Sequence, residues 1–309
     1  MRIAVIGRTG ALIETATALR AVGHTVPLVI TAKAAPEYHA SEAEFQALAD
    51  RIDAAYLSTP TLDSDEVSTL LSALGTIDAA VSLNYPTVIS QGIIDRFRLG
   101  ILNAHGGDLP RYRGNACQAW ALLQGERRIG LCIHRMVGGE LDSGDIVLRR
   151  HLDVTIDTRV GEVMAWMENV VPSLYVEALR ILEDPQAVLE TQNPHQALRC
   201  YPRRPEDGRI DWSADAESVL RLVNASSEPY PGAFTSVRGD KLIVWRAALV
   251  PGDTENVLAV PGQIAKIDRD SGAVDVITGN GKLRLLDIEL SGARTRPASL
   301  IGSARARLV

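Results

Sequence analysis

Over its first 105 residues the chain alternates short apolar, β-branched runs with amphipathic stretches, and that alternation restricts it to one fold class. The runs are Arg2–Ile6, Thr25–Thr31, Ala55–Ser58, Asp78–Leu83 and Gly100–Ala104. Between them lie helix-like segments: Thr9–Val22 with a stripe of Leu12, Ala16 and Leu19, then Ser41–Ile52, Ser64–Leu74 and Val88–Phe97. Ser41 followed three residues later by Glu44 is a capping-box signature. Strands separated by helices need a crossover between neighbours, so the pattern predicts an α/β domain: a parallel sheet with helices on both faces.

Beyond residue 113 the pattern changes. Asn115–Gln124 reads as a helix, Ile129–Met136 and Asp145–Leu152 as strands joined by the loop Val137–Gly144, and Thr158–Leu182 as a long helix. Residues 183–208 carry Pro185, Pro194, Pro202 and Pro205 with little periodicity, which marks a linker. A catalytic domain over 1–190, a linker over 191–208 and a C-terminal domain over 209–309 follow, and a chain of 309 residues suits two domains. In the last part Ala214–Asn224 looks helical. The short β runs Phe234–Val237, Lys241–Leu249, Gly262–Asp268, Ala273–Thr278 and Lys282–Leu290 predict a small barrel. The Arg-rich tail Arg294–Arg307 reads as a solvated helix.

Charge and composition narrow the partners. The net charge is −6: residues 1–199 hold 17 Lys and Arg against 24 Asp and Glu, and residues 200–309 hold 15 against 14. Neither half has the basic balance of a nucleic-acid-gripping domain. The apolar runs fall short of a membrane span, and the N-terminus resembles a strand and turn rather than a signal peptide, so a cytoplasmic enzyme is expected. Cys117, Cys132 and Cys200 show no paired spacing and read as buried thiols. His24, His39, His151 and His195 lack metal-ligand spacing, so no metal is expected.

Two places could carry chemistry. Gly7-Arg8-Thr9-Gly10 lacks the third glycine of a dinucleotide fingerprint, since position 13 is Ile, and reads as a tight β-to-α turn. The fifth strand ends in Asn103-Ala104-His105. Side chains two apart on a strand share one side, and the C-terminal ends of such strands are where ligands bind. An amide and an imidazole there can donate to a developing oxyanion. The loop from Gly138 to Asp145 packs glycines around the carboxylates of Glu140, Asp142 and Asp145, and a carboxylate reaching the same cleft could orient that imidazole.

The stretch from Leu102 to Val147 resembles the folate-dependent formyltransferases. The matching pieces, in the family's order and spacing, are Asn103-Ala104-His105, Leu109-Pro110-Arg111-Tyr112-Arg113-Gly114 and Leu141-Asp142-Ser143-Gly144-Asp145-Ile146. Beyond the linker, Arg209-Ile210-Asp211-Trp212, the run from Tyr230 to Thr235 and the run from Lys241 to Trp245 are similar to the C-terminal domain of methionyl-tRNA formyltransferases and sugar-nucleotide N-formyltransferases. The resemblance implies a Rossmann-like catalytic domain, an OB-like C-terminal barrel and 10-formyltetrahydrofolate as donor. It makes Asn103, His105 and Asp142 the catalytic trio. It places the pterin against Asn84, Tyr85, Gly139, Glu140 and Leu141. Beside the trio, Asp108, Arg111, Arg113 and Asn115 are the candidate acceptor contacts, Arg111, Arg113 and Asn115 as donors to a small anionic substrate. A homodimer is the family's expectation.

The amine that accepts the formyl group is less constrained. Relatives that formylate initiator tRNA carry a basic loop after the second strand. Here residues 31–55 hold Lys33 and Arg51 against Glu37, Glu42, Glu44, Asp50 and Asp53, a net of −3, and phosphates need cations. Ile133-His134-Arg135-Met136-Val137 and Glu228-Pro229-Tyr230-Pro231 resemble the sugar-nucleotide branch. An amino-deoxysugar nucleotide, as used for lipopolysaccharide and O-antigen sugars, is therefore the expected acceptor. Methionyl-tRNA comes second and a small natural-product amine third; a folate-binding module without activity is the reading from another class. Two departures from the family stand out: Asn115 replaces an arginine found in one sugar-nucleotide branch, and Gly106-Gly107-Asp108 replaces small hydroxyl-bearing residues.

Overall fold

The structure is a computed structural model that describes residues 1–36, 38–252 and 258–309. Glu37, one of the acidic residues of the 31–55 stretch, lies outside the described residues. The chain divides into two compact units. The first takes residues 1–117, 129–152 and 164–200, and the second takes 118–128, 153–163 and 201–309. A boundary near residue 190 divides the chain differently, because 118–128 and 153–163 group with the later residues: the Val154 N–H ties the two segments together through the Arg127 carbonyl, and the Asn224 amide donates to the Ile156 carbonyl at 2.8 Å.

In the first unit, β1 (Arg2–Gly7), β2 (Thr25–Thr31), β3 (Ala55–Ser58), β4 (Ala79–Leu83) and β5 (Ile101–His105) form the parallel part of a seven-stranded sheet. The strand order is β3-β2-β1-β4-β5, continued by β7 (Arg128–Arg135) and β8 (Ile146–Asp153). The two-stranded pair of β6 (Arg113–Gly114) and β9 (Arg199–Cys200) stands apart. The sheet is not parallel throughout, since β7 runs antiparallel to β5.

Alternation along each strand sends side chains into two separate cores. Ile3 and Val5 of β1 join Leu12 and Ala16 of α1 (Gly10–Ala21), Phe45 and Leu48 of α2 (Glu42–Ile52) and Leu174 and Tyr175 of the long helix 160–183. Ala4 and Ile6 of the same strand turn the other way, toward Val67 and Leu71 of α3 (Asp65–Leu74) and Ile93 of α4 (Gln91–Ile94). Each fully buried Leu, Ile or Phe contributes about 1.5–3 kcal/mol by leaving water, so the sandwich of helices over both sheet faces supplies the main driving force. The Ser41 and Glu44 capping box starts α2 as its sequence predicts. The fourth helix is much shorter than the Val88–Phe97 expectation. Phe97 forms a parallel bridge with Ile77 and the Arg98 N–H donates to the Ile77 carbonyl, so residues 95–99 continue as turns around that bridge rather than as helix.

The second unit contains α5 residues Gln118–Leu123 (α5 spans Cys117–Leu123), the first turn of α6 (Val160–Glu183), α7 (Ala216–Ser226) and an antiparallel sheet. Its strands are β10 (Ala233–Val237), β11 (Asp240–Leu249), β12 (Ile264–Ile267), β13 (Val274–Ile277), β14 (Lys282–Leu290) and β15 (Ala293–Thr295), in the order β10-β11-β14-β13-β12 with β15 beside β14. The expected barrel is closed by the chain's own tail. Leu308 bridges Val237 beside β10, and Arg307 bridges Gln263 beside β12, so residues 307–309 join the two edges of the sheet. The solvated helix expected over Arg294–Arg307 is corrected accordingly. Only α8 (Pro297–Leu300) is helical there, because Leu308 and Ile301 are buried in the barrel core and the backbone of 307–309 pairs with strands. Among the described residues no helix is long and apolar enough to cross a membrane.

Candidate active site

The first unit brings Asn103, His105 and Asp142 together. Asn103 and His105 sit at the end of β5, where Asn103 is in register with Ser82 of β4 on one side and with His134 of β7 on the other. Asp142 arrives from the loop between β7 and β8 with φ +50°, a left-handed conformation unusual for a side-chain-bearing residue. Its Oδ2 lies 3.4 Å from His105 Nδ1, and the Gly114 N–H donates to the same oxygen at 3.1 Å. Its Oδ1 lies 3.4 Å from His134 Nε2 and accepts a long bond of 3.5 Å from the Asn103 amide. The Asp142 side chain is 10% exposed and those of His105 and His134 are 7% and 1% exposed, so the cluster is nearly out of water.

Hydrogen bonding assigns the imidazole protons. The Tyr112 carbonyl lies 2.7 Å from His105 Nε2 and can only accept, so Nε2 carries a proton and Nδ1 is the nitrogen turned toward Asp142. The His134 Nδ1 likewise donates to the Arg135 carbonyl at 2.9 Å, and its Nε2 faces both the Asn103 amide at 3.3 Å and Asp142 Oδ1 at 3.4 Å. Burial opposes the charge on Asp142, yet the neighbouring imidazoles of His105 and His134 and the Gly114 N–H outweigh it and hold the carboxyl at a pKa of about 2. Asp142 is therefore a carboxylate across the neutral range, suited to steadying a positive imidazole rather than to releasing a proton.

The residues expected to hold a pterin lie on two loops joined by the segment 89–91. The Gly138 N–H donates to Gln91 Oε1 at 2.9 Å and the Gly139 N–H to the Ile89 carbonyl at 3.3 Å. Asn84, at φ +55°, is exposed, and its carbonyl accepts from Arg8 Nε at 2.7 Å. Tyr85 is half-buried and its hydroxyl donates to the Thr59 carbonyl; burial pushes its pKa well above the usual range. Glu140 is exposed and accepts from the Ser143 hydroxyl, and Leu141 is half-buried against Gly114.

The expected acceptor residues spread over two environments. Arg113 is turned inward, its Nη2 donating to Gln192 Oε1 at 2.7 Å. Asp108 is ion-paired to Arg149 at 2.8 Å and to His151 at 3.1 Å. Asp108, Arg111 and Arg149 line a cleft of about 570 Å³ with Glu190 and Gln196. Arg111 is exposed and stacks its guanidinium 5.1 Å from the Tyr112 ring. Asn115 is exposed, and its N–H donates to the Cys200 carbonyl. Three contributors escape the sequence reading. His134 enters through a cross-strand register, Gln192 through a segment read as linker, and Gly114 through its backbone. Gly114 and His134 stand in runs matched to the family, yet nothing in those runs gives them a part in the site. Among the described residues no group of three or more His, Cys, Asp or Glu is arranged to hold a metal ion.

With this geometry in hand, comparison with known proteins is informative. A family model described as formyl transferase matches residues 1–179, and one described as the formyl transferase C-terminal domain matches residues 203–303. A methionyl-tRNA formyltransferase of Solibacter usitatus is 31% identical over 304 residues, covering 97% of this chain and 94% of that protein. Among solved structures, an N-formyltransferase from Helicobacter canadensis in complex with folinic acid and dTDP-3-aminofucose aligns with a TM-score of 0.68 at 12% identity, over 93% of this chain and 99% of that one. HypX from Aquifex aeolicus in complex with tetrahydrofolic acid aligns with a TM-score of 0.62 at 20% identity, over 98% of this chain and 47% of that one. At these identities the two structural likenesses speak to the fold.

Proposed function

The chain belongs to the formyl transferase family, and we propose that it moves the formyl group of 10-formyltetrahydrofolate to the primary amine of a nucleotide-linked amino sugar. The observation that carries the acceptor class is charge. The described part of residues 31–55 holds Lys33 and Arg51 against Glu42, Glu44, Asp50 and Asp53, and Ser41 and α2 present the first two glutamates at a helix start. A tRNA backbone needs several cations at the surface it touches, whereas one nucleoside diphosphate needs only a few donors. The Helicobacter canadensis neighbour, solved with dTDP-3-aminofucose, supports the same reading. A methionyl-tRNA acceptor is the second reading, favoured by the relative from Solibacter usitatus that matches nearly the whole chain.

The loops around 84–85 and 138–141 suit the flat, polar-edged ring of a folate. Tyr85 and Met136 lie partly buried on an apolar cluster, Val88 and Val137 are exposed, and Gly139 leaves open space where a side chain would stand. When bound, the donor supplies an activated formyl carbon whose oxygen gains negative charge as the amine adds. The chain's own residues handle the protons. His105, fixed by its Nε2–H on the Tyr112 carbonyl, accepts the amine's proton at Nδ1 and returns it to the folate nitrogen as the bond between that nitrogen and the formyl carbon breaks. Asp142 lies 3.4 Å from that nitrogen and steadies the imidazolium that results. The Asn103 amide, held only by bonds of 3.3 and 3.5 Å, is free enough to turn an N–H toward the oxyanion.

The test is a mass-spectrometric formylation assay with 10-formyltetrahydrofolate and a panel of UDP-, dTDP- and GDP-linked 3- and 4-amino deoxysugars, initiator methionyl-tRNA and ornithine derivatives. The proposal expects one added formyl mass on a single sugar nucleotide. Formylation of the tRNA alone overturns the acceptor class and leaves the reaction standing. Folate binding with no product on any acceptor counts against transfer to these amines.

A further inference from the structure

Gln192 is 7% exposed, and both ends of its amide are engaged. Its Nε2 donates to the Asp142 carbonyl at 2.8 Å and to the Gly144 carbonyl at 2.7 Å. Its Oε1 accepts from Arg113 Nη2 at 2.7 Å. An amide has two N–H donors, and here both are spent on the backbone of one short loop. The side chain that this loop presents is Asp142, whose left-handed φ of +50° needs outside support. The third bond ties the loop to Arg113, the neighbour of Gly114, and Gly114 itself donates to Asp142 Oδ2. Gln192 thus holds the Asp142 backbone from below and, through Arg113, the segment whose N–H grips the Asp142 side chain.

We propose that Gln192 is the positioning residue that fixes Asp142 against His105, by clamping the loop that carries it to the Arg113–Gly114 strand. The proposal rests on the reading of Asp142 as the carboxylate of the reacting centre. Gln192 touches neither the formyl carbon nor the amine in this arrangement; it acts through Asp142. The bonds are of ordinary good length, between uncharged amide and carbonyl groups on one side and a guanidinium on the other. Without them the left-handed Asp142 would keep only its side-chain contacts, and the Asp142 and Gly144 carbonyls would lose this side-chain donor. A displacement of about 1 Å in a reacting constellation can lower turnover by about a hundredfold.

The experiment uses the full chain and three variants, Gln192→Ala, Gln192→Glu and Asp142→Asn. Glutamate keeps an acceptor for Arg113 and loses both donors to the loop, so it separates the clamp from the Arg113 bond. The first measurement needs no acceptor: the amide proton shift of Gly114 by NMR, which reports its bond to the Asp142 carboxylate. Asp142→Asn should move that resonance upfield, and both Gln192 variants should reproduce at least half of the movement. The second measurement is steady-state transfer from 10-formyltetrahydrofolate to whichever of a dTDP-linked amino sugar and initiator methionyl-tRNA the wild type formylates. Both Gln192 variants should lower kcat by about 10- to 100-fold with KM for the donor held within about threefold. In an Asp142→Asn background the further loss should vanish, as expected for residues that act as one unit. A Gly114 resonance unmoved in both Gln192 variants, or a full further loss in the Asp142→Asn background, overturns the clamp. An Asp142→Asn variant with wild-type turnover removes Asp142 from the reacting centre, and the clamp's role in catalysis falls with it.

Discussion

At the scale of single residues, the site is a carboxylate shared by two imidazoles, an amide and a backbone N–H, and its protonation has consequences for stability. Asp142 titrates near 2 when folded, below the roughly 3.9 of an unfolded aspartate. A depressed carboxyl contributes stability that is present above the unfolded value and lost as the pH falls through the folded one, so the window is about pH 4 down to 2. The size is on the order of 2 kcal/mol. Urea unfolding of wild type and Asp142→Asn between pH 6 and pH 3 should show the wild type losing stability more steeply below pH 4; parallel curves would mean the carboxylate is not held as the geometry implies. For the imidazole the expectation is catalytic. His105→Ala should cut transfer by about a hundredfold or more, the usual range for a lost acid–base group, with the fold retained. Near-wild-type turnover would remove His105 from the proposed reaction. The residue types at 103, 105 and 142 are legible in the sequence because two of them are neighbours on one strand and the third sits among glycines. Their partners are not, because His134 and Gln192 approach from 31 and 50 residues away.

Among elements, local signals served where local physics decided the structure and failed where pairing did. The capping box starts α2, and the strand and helix alternation places β1 to β5 within a residue or two. The fourth helix and the tail depart because the bridge of Phe97 with Ile77 and that of Leu308 with Val237 are long-range choices. The loop that carries Asp142 shows the same principle at close quarters through its glycines. A Cβ at Gly144 would stand 2.0 Å from the Arg135 carbonyl oxygen, backbone that also anchors β7. At Gly139, by contrast, a Cβ meets nothing within 4 Å, although φ is +77°. Gly139→Ala should therefore cost only about 1 kcal/mol of left-handed strain, with kcat little changed and any further loss appearing in KM for the donor. Gly144→Ala must push residues 142–144 away from β7, and should lower kcat by at least tenfold. Comparing kcat and thermal midpoints of the two variants checks this, and equal effects would show that the loop accommodates either methyl.

For the whole molecule, two cores built by different rules meet in one chain, and the second depends on a segment far from its strands. The first unit is read from its sequence with ease, since the apolar runs of its central strands β1, β4 and β5 are buried between neighbouring helices. The barrel strands are equally visible, but their closure is not: nothing in an arginine-rich tail announces that Leu308 will be 1% exposed and Arg307 will pair beside β12. Closing the sheet satisfies two otherwise open strand edges. The Ser236 and Val309 backbones exchange bonds of 2.8 and 3.0 Å, and the Leu308 N–H donates to the Gly262 carbonyl at 2.9 Å. Gly262 suits this closeness, because a Cβ there would lie 2.1 Å from the Leu308 carbonyl oxygen. Leu308→Ala should lower the stability of the second unit by about 2–5 kcal/mol through the lost burial and the cavity left behind. Differential scanning calorimetry should resolve the loss as an earlier transition for that unit, while Asn103, His105 and Asp142 all belong to the first. Transfer measured well below the transition should thus stay within about threefold of wild type, as expected for a substitution distant from the reacting groups. If the variant instead unfolds at the wild-type temperature, the tail does not close the barrel in solution.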